Sequence, residues 1–200
     1  MLKVFTEDDT KKIQIDEGIV AINLGEPSQR ILGPTRGGAE VTITPVIRDI
    51  DFDGRRGKTM GMQVKDEEDA TVKVTSLCCK QEDLLYALPN AVMDENTKVI
   101  TQGDFGPIKS SSYLKTIDVI TQMLDGTFKV LTFNYGLHEG AFTYNAKPKA
   151  ENEHNLEFIP HYTIEDASRL FKITDHATNP LPTNDNGTDE NPDENNENGE

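Results

Sequence analysis

The chain has 200 residues, 35% of them hydrophobic, no Trp, and 35 acidic against 20 basic side chains, a net charge of −15. That length fits one domain with a proper core rather than two. The charge excludes a phosphate-gripping nucleic-acid binder, which draws on clustered Lys and Arg, and two adjacent cysteines, Cys78 and Cys79, exclude a disulfide framework and the spaced ligand pairs of a zinc site.

Met1 to Asp9 mixes charged and apolar residues and lacks the basic start and apolar core of a signal segment, so neither secretion nor membrane anchoring is expected. Residues 1–17 read as an N-terminal arm. Ile19 to Leu24 is an apolar run of strand length. A second strand is predicted over Glu40 to Phe52, bracketed by Gly33, Gly37 and Gly38 before it and Gly54, Gly57 and Gly61 after it. Glycines placed this way shape backbone rather than bind substrate. Arg48 to Asp53 alternates at period two, which puts Ile50 and Phe52 on one face and Asp49, Asp51 and Asp53 on a solvated, acidic one.

Two fragments here imitate binding loops. Gly54-Arg55-Arg56-Gly57-Lys58-Thr59 looks like the end of a phosphate loop, but Phe52 stands where the first glycine is needed and no helix follows. Asp49, Asp51, Asp53 and Gly54 copy the first half of a calcium loop, but Met60 stands where the bidentate Glu belongs. The plain reading is a loop and a strand edge. Arg55, Arg56 and Lys58 are then followed by Asp66, Glu67, Glu68 and Asp69. A loop with a basic start and an acidic end can pair with copies of itself, and an ordinary solvated hairpin fits the charge pattern equally well.

Thr71 to Leu77 is the next predicted strand. Gln81 to Leu88 reads as a short helix and the only regular one, with Leu84, Leu85 and Leu88 as its apolar stripe, acid in the first turn and Pro89 as its stop. The Cys78–Cys79 pair is read as strand-end packing. Ser112 to Met123 and Thr127 to Tyr135 flank Leu124-Asp125-Gly126, a strong hairpin signal, and His154 to Tyr162 closes the set. Many strands and one helix predict a mainly β fold, an antiparallel sandwich or partly closed barrel.

The 13 Phe and Tyr are expected mostly in the core. His138, His154, His161 and His176 lie near no recognisable nucleophile, so no catalytic, metal or cofactor site is expected, and the chain is not read as an enzyme. From Asp175 to Glu200 there is no Lys or Arg and there are eight carboxylates among Asn, Pro, Gly and Thr. That composition predicts an acidic disordered tail over 175–200 after a domain over 1–174.

Several motifs in order resemble one family. Asp16-Glu17-Gly18, Asn23-Leu24-Gly25, Gly33-Pro34-Thr35-Arg36-Gly37-Gly38 and Ile47-Arg48-Asp49-Ile50 running into Asp53-Gly54 are similar to the N-terminal half of the major tail proteins of long-tailed, non-contractile bacteriophages (siphoviruses). Tyr113-Leu114, the Asp125-Gly126 hairpin, Glu139-Gly140, Phe158 to Tyr162 and Leu170-Phe171-Lys172-Ile173 resemble that family's later strands and terminal motif. The resemblance spans roughly residues 11 to 174.

It implies a virion structural protein: a β-sandwich with a flanking helix, closed with its copies into six-membered rings that stack into a tail tube. DNA would pass through the lumen during ejection without specific binding. Other tail proteins (tape measure, distal tail, terminator) would be partners, and assembly would take place in the host cytoplasm. The stretch Gly54 to Asp69 matches the family's ring-stacking loop, which makes Arg55, Arg56, Lys58, Asp66, Glu67 and Glu68 its candidate residues. Asp49 and Asp51 are candidates for an acidic, phosphate-repelling lumen. The alternative is a virion decoration or binding module that forms no tube.

Overall fold

The structure is a computed structural model that describes residues 5–16, 18–77, 80–144, 148–149, 151–165 and 169–182. Its elements are α1 (Glu7–Lys11), β1 (Ile19–Ile22), β2 (Arg30–Ile31), β3 (Thr35–Asp49), β4 (Gln63–Ser76), α2 (Gln81–Leu85), β5 (Val92–Met93), β6 (Ile100–Thr101), a 3-10 turn (Ser110–Ser112), β7 (Leu114–Gln122), β8 (Phe128–His138), β9 (His154–Ile159) and β10 (Phe171–His176). The fold is mainly antiparallel β, a sandwich whose sheets do not close into a barrel. No helix among the described residues is long and apolar enough to cross a membrane.

One layer runs β2-β1-β7-β8 with β10 on the far side of β8, and the other runs β8-β9-β4-β3. Strand β8 belongs to both. Its Phe128–Phe133 stretch pairs with β10, and Leu137 and His138 pair with β9. Between the two stretches Tyr135 takes a left-handed φ of 49°, and at Gly136 a Cβ would fall 2.1 Å from Ile117 Cδ1. The corner needs a bend and a residue without a side chain there.

The main core gathers Val20, Ile22, Leu32, Val72, Val74, Ile117, Val119, Phe133, Leu156 and Phe158 between the layers. A smaller cluster of Ala21, Ile120 and Val130 lies on the opposite face of β1-β7-β8, with Leu181 packed on it. This double burial explains why β7 is buried without a break over Ile117–Thr121, on both of its faces. Asp118, buried on the same strand, accepts hydrogen bonds from Thr116 Oγ1 (2.7 Å) and Thr132 Oγ1 (2.6 Å).

The predicted hairpin is present. Gln122 pairs with Phe128 across a turn in which Met123 N donates to Thr127 O (2.8 Å) and Asp125 Oδ1 accepts from Thr127 N (3.0 Å). Other expectations need correction. The strand expected over Glu40–Phe52 runs Thr35–Asp49 instead, because Gly37 and Gly38 sit inside it at a register shift and Arg55 bonds pull Asp51 into the following turn. The helix ends at Leu85 and turns Asp83 and Ala87 inward, not Leu84, Leu85 and Leu88, and Arg30 meets Asp83 at 3.2 Å. It is not the only helix, since Thr6 caps α1 through a capping box with Asp9.

Folded chain also continues past 174. Strand β10 reaches His176, Asp175 pairs with Lys129 at 2.6 Å, and Leu181 is packed as described. Of the 13 Phe and Tyr, Phe133 and Phe158 are fully buried, while Phe5, Phe52, Phe105, Tyr135, Tyr144 and Tyr162 are exposed. The expectation that the aromatics fill the core is therefore wrong. Cys78, Cys79 and residues 183–200 of the expected tail lie outside the described residues.

Candidate assembly surface

Strands β3 and β4 form a ladder from Thr35–Ser76 out to Asp49–Gln63, and β9 covers β4 only over Val72–Ser76. Beyond Val72 the two strands continue without a third strand beside them, and beyond Ala70, still buried in the main core opposite Ile43, the hairpin stands clear of the sandwich for roughly 20 Å at about 3.3 Å per residue. Its stiffness has identifiable sources. Ile50 N donates to Met62 O (2.9 Å), Met62 N to Thr59 O (3.0 Å), and Gly54, Gly57 and Gly61 take the positive φ angles that the tip turns require.

Side-chain pairs brace the arm. Arg48 grips Asp66 through Nε (2.8 Å) and Nη2 (3.3 Å), which keeps the Arg48 guanidinium protonated further into the alkaline range than usual. The ladder pairs Val46 with Glu67 and Ile47 with Lys65, leaving Asp66 as the extra residue of a β-bulge. The same bulge puts Lys65 on the face of Glu68, its ion-pair partner. Arg55 reaches back to both Asp49 and Asp51, and Gln63 Nε2 donates to Asp49 at 2.8 Å. The bond from Gln63, and after it the one from Arg55, lowers the Asp49 pKa below the usual carboxylate value.

The candidate residues therefore divide. Arg55, Asp66 and Glu68 form ion pairs within the arm, and Asp66, Glu67 and Glu68 belong to β4 rather than to a loop. Arg56, Lys58 and Glu67 have no ion pair among the described residues. Asp49 and Asp51 are joined through Arg55 at the arm's far end, so one guanidinium offsets half of their charge where they stand.

Sequence reasoning missed how apolar the arm's surface is. Val46, Ile47, Ile50, Phe52, Met60, Met62 and Val64 are all exposed, and Met60 is 99% accessible. Alternation placed Ile50 on one face but gave no sign that, among the described residues, no layer covers either face. Strand β3 also has an open margin: its outer edge bonds to no other strand among the described residues. Pro45 and the Gly37–Gly38 irregularity interrupt that margin, leaving Ala39–Thr44 as its regular stretch.

A second surface lies at the β8 corner. Tyr113, Tyr135, His161, Tyr162, Ile108 and Ile164 line a cleft of about 540 Å³. His161 stacks edge-on against Tyr113 (5.3 Å between centroids), and its Nε2 lies 3.1 Å from a Glu139 carboxylate oxygen. Its Nδ1 lies 2.8 Å from the Ile159 carbonyl oxygen. The other histidines are elsewhere: His138 and His154 are buried in the sandwich and His176 ends β10.

No family model and no curated protein matches this chain. Among solved structures it is similar to a chain from the virion of a native gene transfer agent particle, with a TM-score of 0.44, 9% identity, and coverage of 79% of this chain and 95% of that one. It is also similar to a chain from the tail of an empty particle of that kind with C6 symmetry, with a TM-score of 0.41, 7% identity, and coverage of 79% and 96%. Both likenesses are distant.

Proposed function

We propose that this chain is a structural virion protein, the subunit of a phage-type tail tube whose copies join sheet margin to sheet margin in six-membered rings. The rings stack into a conduit for DNA, and the β3-β4 arm reaches from one ring to the next. One observation carries this reading: a 15-residue strand with an outer edge open among the described residues extends into an apolar two-stranded arm that no other described segment covers. Unpaired strand margins and contiguous apolar surface are liabilities in a monomer and become assets when copies cover them. The acidic balance of the chain suits a passage that DNA traverses without sticking. Tape measure, distal tail and terminator proteins would close the tube's ends.

Negative-stain imaging of the concentrated, purified chain tests the reading. Thr44 pairs with Asp69, so residues 45–68 can be replaced by an Asn-Gly turn that keeps the rest of the ladder in register. Long tubes from the natural chain, and folded particles without long tubes from the shortened one, are expected. Tubes from both would remove the arm's stacking role. A second reading, a decoration or binding module that forms no tubes, is favoured by the aromatic cleft, and uniform small particles at every concentration would select it.

A further inference from the structure

The arm's tip and the corner cleft are both apolar and both exposed, and neither has an occupant among the described residues. Met60 is fully accessible at the tip, with Phe52 and Met62 beside it also exposed. In the cleft, Tyr113, Tyr135, His161 and Tyr162 present rings around a gap that fully exposed Ile164 borders. The arm extends roughly 20 Å beyond Ala70 at strand rise, and the cleft stands near its root, where Leu137 pairs with Ile159 and His161 N donates to Asn134 O. A tip at the far end of a braced ladder stands clear of its own cleft.

We propose that the tip of one copy seats in the corner cleft of another, with Met60 as the knob and the Tyr113–Tyr135–Tyr162 cluster as the socket. This rests on the tube reading and names the receiving site for its arm. A thioether packs well against ring edges, and a Met side chain adapts to an irregular gap. Charge does not oppose the contact: Arg56 and Lys58, just before Met60, have no ion pair among the described residues, Lys115 in the cleft lining is already paired with Glu26 at 2.5 Å, and Glu139 supplies an acid 3.1 Å from His161. The contact joins two different patches, so it propagates from copy to copy, as stacked rings require.

The test uses the full chain and its variants Met60→Asp, Ile164→Asp and Arg56→Glu/Lys58→Glu. Circular dichroism and unfolding midpoints confirm that each is folded. The critical concentration for assembly, read by light scattering and by imaging, is expected to rise about tenfold or more for the first two, as loss of one buried large apolar side chain predicts. It is expected to rise by a smaller factor, which salt erases, for the third. Mixed chains carrying Met60→Cys and Ile164→Cys, each in a Cys78→Ser/Cys79→Ser background, should form a disulfide-linked pair that neither chain forms alone. Tubes that form at the natural critical concentration in Met60→Asp, without the mixed cross-link, overturn the socket and leave the tube reading standing. A natural chain that never assembles overturns both.

Discussion

Arg48 and Asp66 form a two-point ion pair across a β-bulge, at 2.8 and 3.3 Å, on strands that run in simple register from Ala39 up to it. The bulge supplies the extra residue, and the pair holds it on Arg48. It also sets which faces the outer side chains present, because a one-residue change of register exchanges the two sides of a strand. Removing Asp66 should therefore straighten the ladder, because Ile47–Lys65 and Arg48–Val64 already stand opposite one another, and should re-aim the arm while leaving Arg48 without its partner. The unfolding midpoint should hold, since the arm lies outside the core, while tube formation fails. A midpoint that falls sharply would mean that the arm supports the sandwich.

Gly136 tests the β8 corner. A methyl group there meets Ile117, fully buried in the main core, at a distance no real contact shows. Gly136→Ala should cost about 1–3 kcal/mol through overpacking. Chemical denaturation would measure it, and a cost near zero would show that the corner relaxes freely.

Stability should also depend on pH through His138. The ring is buried, 5.9 Å from the Phe158 ring, and burial lowers its pKa against the weaker opposing pull of the Asn155 and Ala87 backbone and of Glu157. The folded state therefore favours the neutral ring. Its contribution is complete above the ordinary histidine pKa, near 6.5, and is lost as pH falls from there toward the lowered folded value. One proton limits the slope to about 1.4 kcal/mol per pH unit. Denaturation at pH 7.5, 6.5 and 5.5 should show the decline, and His138→Gln should flatten it. An equal slope in the variant would place the acid sensitivity on another group.

Salt should promote assembly. Each copy carries a net charge of −15, so bringing copies together is opposed by repulsion that salt screens. Light scattering from the natural chain should rise faster at 0.3 M than at about 0.03 M salt, where the screening length is several times longer. Faster growth on removing salt would mean that attractive pairs across the interface outweigh the net charge.

Much of the fold was written in local chemistry. Asp125-Gly126 set its hairpin because turn geometry depends on a few adjacent residues, and the apolar runs at Ile19, Thr71 and His154 became strands because burial rewards them wherever they pair. The glycines around the second strand were read correctly as backbone devices. That Gly37 and Gly38 lie inside the strand was not legible, since a bulge is defined by the partner strand's register.

The candidate site shows the same division. The charge pattern singled out the basic-then-acidic stretch from Arg55 to Asp69, and the resemblance read Gly54 to Asp69 as a stacking loop, whereas residues 63–69 are strand β4. Which of its charges remain unpaired was decided by distances between strands: Arg55 turned back on Asp49, and the bulge delivered Asp66 to Arg48. The cleft had no sequence signal, because Tyr113, Tyr135 and His161 come from three separate segments that meet only where β8 bends. Turn and strand preferences act between near neighbours along the chain. Exposure, ion pairing and cavities depend on what distant segments bring to the same place, and these were settled only when the sheets packed.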